Sequence, residues 1–504
     1  MNRKPTTVNG YYRLSEPEPY GQSLLRQLQA RYFAAKGVEA WAQGEVPHYL
    51  TSNPRMANSY AEIILALWRD RQRIAPSDEP LYICELGAGS GRFAYHLLNC
   101  LSRLCAQMEV PVRAFRYVLT DVPERTLDFW RTHPRFQPFF EQGVLACACF
   151  DVNQSDRLEL PEREQAITPG TLVQPLVVVA NYLFDSIPQE LFYFADGDCH
   201  QCRVALFADD DPVTLSEADL FAHMHCDYEY RQLADPPYAE PYLQRLITEY
   251  QQSLSEAYVL FPDVGLRCLQ RLQALSAAGL LILTADKGSH RLEAVGYRQP
   301  PKFVAHGSFS LSVNFHALSA TCEQAGGLAL FPEQPPNHMN VGCLLQIPEA
   351  VRHRETISAY QRHVQEFGPD DFFSITRHAR QDTDAMSLRD ILAYVRLGLY
   401  DAHLFACYLP RLHTLAPECT EMQRATLIEA VDRVWALYFP MGEGRDLAFE
   451  LAGLLFALDD HARALNYLKR SIPLYGENNT TLINMAICHR QLGREDAAEQ
   501  LLRQ

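Results

Sequence analysis

The sequence of 504 residues predicts an α/β fold built on a parallel sheet and followed by an all-α region. Three observations support this prediction. An apolar run, Leu81 to Cys84, leads through the glycine-rich stretch Glu85 to Gly91 into a helical pattern. Later aliphatic runs also end in acidic or polar residues, as strands of a ligand-binding sheet do. Towards the C-terminus, small and apolar residues recur at a constant spacing, which is typical of helical repeats.

The stretch Glu85-Leu86-Gly87-Ala88-Gly89-Ser90-Gly91 is predicted to be a cofactor-binding turn. Alternate glycines let backbone N–H groups approach a ligand where side chains would obstruct it. A dinucleotide-binding turn would place its third glycine three residues after the second. The strict alternation instead resembles motif I of the class I S-adenosylmethionine methyltransferases, which have a Rossmann-like core. The candidate cofactor-binding residues of the turn are Glu85, Gly87, Ala88, Gly89 and Gly91, and a turn without a ligand is the alternative.

Acidic residues follow the next two predicted strands. The run Phe115 to Thr120 ends at Asp121, whose carboxylate can accept both ribose hydroxyl hydrogens. Asp121 could also cap the following helix, and the two roles are compatible. The run Val144 to Phe150 ends at Asp151. The resemblance to class I methyltransferases implies that Asp151 contacts the adenine amino group.

A fourth strand, Leu176 to Ala180, is aliphatic throughout, as expected of a strand covered on both faces. It leads into Asn181-Tyr182-Leu183-Phe184-Asp185-Ser186-Ile187-Pro188. Methyl transfer requires chiefly an aligned nucleophile, and a nitrogen nucleophile must be neutral or lose a proton. Asp185 is therefore the candidate base or orienting group, with Asn181 and Tyr182 beside it, and Asn181 is also a candidate cofactor ligand. A helix cap or turn is the alternative role for Asp185.

Several motifs resemble those of the MidA family of S-adenosylmethionine-dependent methyltransferases. The segments His48–Pro54, Asn181–Pro188, Leu281–Gly288 and Gly307–Phe315 are similar to that family's D-F-x-T-S-P, N-E-F-F-D-x-L-P, D-Y-G and G-x-x-D-L-T-A-H-V-D-F elements. The likeness covers roughly residues 45 to 347. It implies the cofactor and a methyltransferase activity, and the family includes an enzyme that dimethylates a protein arginine.

The chain departs from the MidA pattern at polar positions. Tyr182 replaces a glutamate, Ser310 and Asn314 stand where aspartates are usual, and Lys287 replaces a tyrosine. Because a guanidinium pairs best with carboxylates, the lost acids argue against transferring arginine specificity to this chain.

Composition excludes several classes of function. The net charge of −16 disfavours a nucleic-acid partner, and no apolar stretch is long enough to cross a membrane. Scattered cysteines and the lack of a signal-peptide pattern favour a reduced, cytoplasmic protein. The sequence Cys199-His200-Gln201-Cys202 lacks a second cysteine pair, so no metal site is predicted.

The C-terminal region resembles tetratricopeptide (TPR) repeats. Ala452, Leu458, Ala464 and Leu468 recur at one constant spacing as Ala486, Leu492, Ala498 and Leu502, and this spacing is the one that TPR repeats have. An ordinary helical bundle is the alternative. The predicted domains are an N-terminal helical region (1–75), the methyltransferase domain (76–350) with a helical insertion at about 209–264, a connector (351–383) and the TPR-like domain (384–504).

Together these features predict an S-adenosylmethionine-dependent methyltransferase. The predicted acceptor is a nitrogen atom of a protein or peptide that the C-terminal repeats recruit. Two alternatives stay open: methylation of a small metabolite or biosynthetic intermediate, and a noncatalytic assembly scaffold that binds S-adenosylmethionine.

Overall fold

The computed structural model describes residues 6–503, except 9, 47, 213, 216–219, 221–222, 302–303 and 307. The chain divides into two compact units. The first comprises Met1–Thr51 and Ser59–Asp370, and the second comprises Ser52–Asn58 and Asp371–Gln504.

The strands of the described residues all lie in the first unit. In chain order they are β1 (Thr6–Val8), β2 (Tyr11–Arg13), β3 (Glu18–Pro19), β4 (Leu81–Glu85), β5 (Phe115–Asp121), β6 (Leu145–Cys149), β7 (Leu158–Leu160), β8 (Gln165–Ile167), β9 (Leu176–Asn181), β10 (Glu190–Ala195), β11 (Asp198–Ala208), β12 (Met224–Gln232), β13 (Ala257–Phe261), β14 (Leu280–Asp286), β15 (Gly288–Ser289), β16 (Val304–His306), β17 (Ser308–Ser310), β18 (Val313–Asn314), β19 (Leu328–Leu330) and β20 (Asn340–Gln346).

The α-helices of the described residues occur in both units. They are α1 (Leu24–Lys36), α2 (Glu39–Ala42), α3 (Pro54–Ile74), α4 (Arg92–Gln107), α5 (Glu124–Thr132), α6 (Gln137–Glu141), α7 (Pro241–Ser253), α8 (Asp263–Ala274), α9 (Phe315–Gln324), α10 (Arg354–Tyr360), α11 (Pro369–Ala379), α12 (Leu388–Leu397), α13 (Ala402–Leu415), α14 (Glu421–Leu437), α15 (Leu447–Ala457), α16 (His461–Tyr475), α17 (Asn479–Gln491) and α18 (Glu495–Leu502).

The central sheet has the strand order β19-β20-β14-β9-β4-β5-β6. The five strands from β14 to β6 are parallel, and β20 and β19 are antiparallel additions at one edge. Every residue of β4 and β14 is buried, as expected where helices cover both faces of a sheet. The strands that the apolar runs predicted are confirmed.

The second large sheet corrects two predictions. Its strands are β1-β2-β11-β10-β13, with β12 and β3 also paired to β11. Residues 1–75 therefore include strands as well as helices, and the insertion at 209–264 contains β12 and β13 in addition to α7. In β12 the half-buried Cys226 and Tyr228 alternate with the exposed His225 and Asp227. This period of two is typical of a strand with one covered face.

Cys199 and Cys202 both lie in β11, three residues apart, and so on opposite faces of the strand. Cys199 belongs to the core cluster that includes strands of the central sheet, whereas Cys202 belongs to the cluster with Tyr20, Leu25 and Leu28. The two thiols therefore point into different cores and do not form a joint site.

The predicted connector at 351–383 is largely helical. It contains α10, a π-helical turn at Gln361–Gln365 and α11. Asp70, on α3, has no exposed surface and accepts hydrogen bonds from the backbone N–H and the hydroxyl of Thr356, both at 2.9 Å. A buried carboxylate with two donors thus fixes the start of α10 to the first unit.

In the second unit, the constant spacing of alanines and leucines corresponds to two helix pairs. The turn between α15 and α16 contains Asp459, and the turn between α17 and α18 contains Gly493. These two residues occupy equivalent positions of the repeat, and both have a left-handed backbone, with φ of 59° and 70°. Ala464 and Ala498 are also buried at equivalent positions. Their small side chains allow the paired helices to approach closely.

No helix in the described parts of the chain combines the length and the hydropathy that a membrane-spanning segment requires.

Asn314 is the residue whose removal should most clearly destabilise the start of α9. Its Oδ1 accepts from the backbone N–H of Ala317 in the first turn of α9, and its Nδ2 donates to the Leu260 carbonyl at 3.1 Å. We expect Asn314→Ala to lower the free energy of unfolding by about 1–2 kcal/mol, measured by urea denaturation. Glu323→Ala, at an exposed position of the same helix, is the control; an equal effect of both substitutions would contradict this role.

Candidate functional site

A cavity of about 390 Å³ lies at the carboxyl ends of the parallel strands. The strand β4 has β5 on one side and β9 on the other, and a crevice forms where the order of strands reverses. Gly87, Asp121, Asp151 and Tyr182 line the cavity at or just after the ends of β4, β5, β6 and β9. Residues of α1, together with Trp41 of α2, also line the cavity. Its volume falls within the range of small-molecule sites.

The glycine turn after β4 has a backbone that only glycine adopts easily. Gly87 and Gly89 have φ of 59° and 55°, in the left-handed region that strains other residues. A Cβ atom on Gly89 would lie 2.8 Å from Cζ2 of Trp41. The indole Nε1 of Trp130 donates to the Gly89 carbonyl at 3.1 Å. The left-handed backbone and the close contact with Trp41 therefore both require a glycine at position 89.

The residues of this turn have different surroundings. Gly87 reaches the cavity, whereas the Ala88 N–H donates to the Thr120 carbonyl and the Gly91 N–H donates to the Ala88 carbonyl, both at 2.9 Å. Glu85 lies beneath the turn, where its Oε2 accepts from the Tyr117 hydroxyl at 2.8 Å. Burial raises the pKa of Glu85 to about 8. Of the five predicted residues, only Gly87 forms part of the cavity wall.

Asp121 connects the cavity to the glycine turn. Its Oδ2 accepts from the Gly89 N–H at 3.1 Å and its Oδ1 accepts from the Val122 N–H at 2.8 Å. The suggested cap role is wrong, because the N-cap of α5 is Pro123 and no side chain caps that helix. Burial raises the pKa of Asp121. Its carboxylate is held at the cavity wall, and its role as a ribose ligand stays a prediction.

Asp151 lies in a tight turn at the end of β6. Its Oδ1 accepts from the backbone N–H of Asn153 at 2.9 Å and its Oδ2 from Nε2 of Gln154 at 3.1 Å. Asp151 and Asn153 line the same cavity as Asp121. The fold therefore brings together the two acids that the sequence placed at successive strand ends.

The turn after β9 separates the residues that the sequence grouped. Asn181 does not line the cavity; its Oδ1 accepts from the Tyr60 hydroxyl at 2.8 Å, and its buried Nδ2 has no partner among the described residues. Tyr182 does line it. The backbone of Tyr182 has φ of 48°, a left-handed conformation that is costly for an aromatic residue and is frequent at functional sites.

Asp185 lies in a turn that no helix follows, so the alternative role as a helix cap is wrong. Its N–H donates to Oδ2 of Asp286, at the end of β14, at 3.1 Å, and the two side chains are also hydrogen-bonded to each other. Burial raises the pKa of Asp185 to about 6. Burial and the neighbouring Asp185 raise the pKa of Asp286 well above its usual range. The pair therefore holds a proton that one carboxyl donates to the other.

Sequence reasoning missed the wall contributed by α1. Arg26, Gln29 and Phe33 line the cavity from this helix, and Arg26 is only 6% exposed. The signal was present in the sequence, since two polar residues three positions apart share the apolar face of a helix. Sequence reasoning also recorded Asp286 only as part of a motif and not as a partner of Asp185.

The comparisons with known proteins identify the class of this site. Residues 60–331 match the family described as "Putative S-adenosyl-L-methionine-dependent methyltransferase". The match spans more than half of the 504 residues, and the chain belongs to this family. It is an S-adenosylmethionine-dependent methyltransferase, and S-adenosylmethionine is its cofactor.

Several solved structures are similar to the chain. A COG1565 superfamily member from Burkholderia thailandensis, described as a "likely methyl transferase" and bound to S-adenosyl-homocysteine, has 15% identity and a TM-score of 0.42, with 67% of this chain and 90% of that chain covered. An uncharacterised protein of the same superfamily and organism has 16% identity and a TM-score of 0.38, with coverages of 66% and 94%. The CurJ carbon methyltransferase has 11% identity and a TM-score of 0.25, with coverages of 65% and 70%. No curated protein matches the chain.

The cavity residues fit this cofactor. S-Adenosylmethionine carries hydroxyl and amino groups that donate hydrogen bonds, and the cavity wall offers two side chains that can accept them, the carboxylates of Asp121 and Asp151. A side chain on the glycine turn would collide with its neighbours, as the contact between Gly89 and Trp41 illustrates.

We expect Gly89→Ala to weaken binding of S-adenosyl-homocysteine by about ten- to a hundredfold, because left-handed strain of about 1–3 kcal/mol adds to the collision with Trp41. Isothermal titration measures this effect. The control is Gly170→Ala, which has the same kind of strain at φ of 75° with nothing within 4 Å of the new Cβ. Equal affinities of the Gly89 variant and the wild type would show that the turn does not hold the cofactor.

Proposed function

We propose that this enzyme transfers the methyl group to a nitrogen atom of a protein or peptide acceptor. The observation that supports the proposal is the buried carboxyl pair of Asp185 and Asp286, next to the cavity residues Tyr182 and Ser186. An amine attacks in its neutral form and becomes positively charged when it gains a methyl group, and a carboxylate beside it can accept the proton that this nitrogen then releases.

The proposed reaction is an in-line displacement. S-Adenosylmethionine supplies a methyl group on a positively charged sulfur, which is already a good leaving group. The acceptor nitrogen forms a bond to the methyl carbon while the carbon–sulfur bond breaks, and the nitrogen's proton passes to Asp185. Asp286 donates a hydrogen bond to Asp185, orients it, and sets how readily it takes a proton.

In this proposal the predicted residues have separate roles. Gly87, Asp121 and Asp151 hold the cofactor and Tyr182 orients the acceptor from the cavity wall. Asp185, which is buried and accepts a hydrogen bond from the hydroxyl of the cavity residue Ser186, acts as the base. Asn181 supports the turn through its hydrogen bond with Tyr60, so its effect on the acceptor is indirect. Glu85 supports the glycine turn from below.

We further propose that the central sheet is a class I, Rossmann-like core of the MidA kind. The parallel strand order, the family match over residues 60–331 and the motifs after β4, β9 and β14 support this. Arginine is not the proposed acceptor, because Tyr182, Ser310 and Asn314 stand where the MidA pattern carries acids. A less anionic pocket favours an amine over a guanidinium.

In this proposal, TPR-like pairs of helices at the C-terminus recruit the acceptor. On α17, Ile483 and Ile487 are 48% and 39% exposed and lie one helical turn apart. Exposed apolar side chains at this spacing form a stripe that another chain can cover. We call Ile483 and Ile487 the α17 stripe.

Composition supports the kind of partner and the compartment that this proposal assumes. The net charge of −16 favours a basic partner. The described cysteines form no disulfide bonds, which supports a reducing, cytoplasmic setting.

A small metabolite is the second candidate acceptor. The cavity is only about 390 Å³ and α1 forms one of its walls, with Arg26 and Gln29 among the lining residues. A walled pocket of this kind suits a small ligand better than an extended chain. The two candidates differ in whether methyl transfer depends on the C-terminal helices.

Asp185→Asn tests the proposed base. Labelled S-adenosylmethionine is incubated with lysate proteins, and we expect transfer to fall by about 10²–10⁴-fold while binding of S-adenosyl-homocysteine is unchanged. Because the active form is the ionised carboxylate and burial raises the pKa of Asp185 to about 6, the wild-type rate should fall as the pH drops below about 6. Asp196→Asn, in the turn between β10 and β11, is the control. A variant that keeps the wild-type rate and pH profile would exclude Asp185 as the base.

The double substitution Ile483→Ser and Ile487→Ser tests recruitment. If the α17 stripe binds the acceptor protein, KM for that protein should rise by about tenfold or more, because two apolar side chains no longer contribute burial. Affinity for S-adenosyl-homocysteine should not change. An unchanged KM would show that the α17 stripe does not recruit the acceptor.

A further inference from the structure

The strand β12 has a partner on one side only. Among the described residues it pairs with β11 and with no other strand. The Leu233 N–H donates to the Cys199 carbonyl at 3.0 Å and the Asp209 N–H donates to the His223 carbonyl at 3.1 Å. Bonds between antiparallel strands recur at every second residue. The odd-numbered residues of β12 therefore bond to β11, and the backbone N–H and C=O groups of its even-numbered residues face outwards.

This outer edge of β12 is almost bare. Of its backbone groups, the Tyr228 N–H alone has a hydrogen-bond partner among the described residues, Oδ1 of Asp227 at 3.0 Å. The strand is nine residues long, which exceeds the usual length of about five to six residues. A long, unpaired strand edge is a template on which another extended chain can pair.

One face of β12 presents a fixed aromatic ring beside this edge. Tyr230 is 47% exposed, and the centroid of its ring lies 5.6 Å from that of Tyr193 and 6.1 Å from that of Tyr258. The hydroxyls of Tyr230 and Tyr258 are hydrogen-bonded at 2.7 Å. Because its neighbours already hold the ring, an apolar side chain of an added strand can pack on it at little cost in side-chain entropy.

The other face of β12 is acidic at its centre. Asp227 and Glu229 are exposed, and neither forms an ion pair with another described residue. His225 and Arg231 lie on either side of them. Side chains of opposite charge attract one another across neighbouring strands, so an added strand would meet these two acids best with basic residues. The net charge of −16 favours the same partner at longer range.

We propose that the outer edge of β12 binds an extended segment of the acceptor protein in which basic and apolar residues alternate. The inference rests on the proposed function, because it takes the partner to be the protein acceptor. Tyr193, which contacts Tyr230, lies five residues after the cavity residue Pro188, or about 17 Å along an extended chain. A protein can contact both places, whereas a small metabolite cannot. The edge of β12 is thus a second contact for the acceptor besides the α17 stripe.

The first test measures binding of a fluorescein-labelled peptide of alternating lysine and valine to the full chain, by fluorescence anisotropy. Binding should be saturable, and a lysine–proline peptide of equal length and charge should bind about tenfold more weakly, because proline has no N–H for strand pairing. Glu229→Lys should weaken binding of the lysine–valine peptide about fivefold and strengthen that of a glutamate–valine peptide, which shows that the variant is folded. Tyr230→Ser should also weaken binding about fivefold.

The controls are Glu141→Lys and Val173→Ser, at exposed positions outside this sheet, and both should keep the wild-type affinity. Equal binding of the lysine–valine and lysine–proline peptides, or wild-type affinity in both Glu229→Lys and Tyr230→Ser, would overturn the inference. A wild-type dimer that Glu229→Lys dissociates, detected by light scattering, would show that a second copy of the chain occupies the edge and would also overturn it.

The second test measures methyl transfer from labelled S-adenosylmethionine to lysate proteins at limiting lysate concentration. Glu229→Lys should lower this transfer about fivefold, with the affinity for S-adenosyl-homocysteine unchanged. Unchanged transfer together with weakened peptide binding would show that the edge serves a different partner, and the assignment to the acceptor would be wrong. Because peptide binding requires no methyl transfer, its outcome is independent of the Asp185 experiment, which judges the proposed nitrogen acceptor.

Discussion

The left-handed turn after β4 is the constraint on which the cofactor cavity depends. Its Ala88 N–H donates to the Thr120 carbonyl on β5, and its Gly89 N–H donates to the carboxylate of Asp121. The turn therefore keeps its shape only while β5 lies in register beside β4. Trp41 and Trp130 fill the space next to Gly89, so the N-terminal helices and the sheet position the same backbone. Displacement of any one of these elements would alter the cavity wall.

Sequence reasoning identified the sheet and the acids at its edge because both depend on local patterns. Continuous aliphatic runs mark strands that are covered on both faces, and the carboxyl ends of parallel strands meet at one edge of the sheet. Asp121 and Asp151 could therefore be assigned to one cavity from their positions after β5 and β6. The constant spacing in the C-terminal region likewise indicated repeated helices, because helix pairs of fixed length repeat their geometry.

The parts that the sequence did not predict depend on contacts between distant segments. Nothing near Arg26 in the sequence indicates that α1 packs against the turn after β9, about 160 residues later. The hydrogen bond between Asp185 and Asp286 similarly joins two strand ends, and each motif alone gives an acid without its partner. The strand β12 was mistaken for helix because tyrosines and acids suit both structures, although the alternation from Cys226 to Tyr230 indicates a strand.

The buried carboxyl groups of Glu85 and Asp185 differ in their protonation at neutral pH, because their surroundings differ. Glu85 has a pKa of about 8 because burial dominates, and the hydrogen bond from Tyr117 only partly offsets it. The Asp185 carboxyl receives hydrogen bonds from Ser186 and Asp286 and lies near the positive charge of Arg26, all of which lower its pKa towards 6. At neutral pH Glu85 is therefore largely protonated and supports the turn, whereas Asp185 is largely ionised.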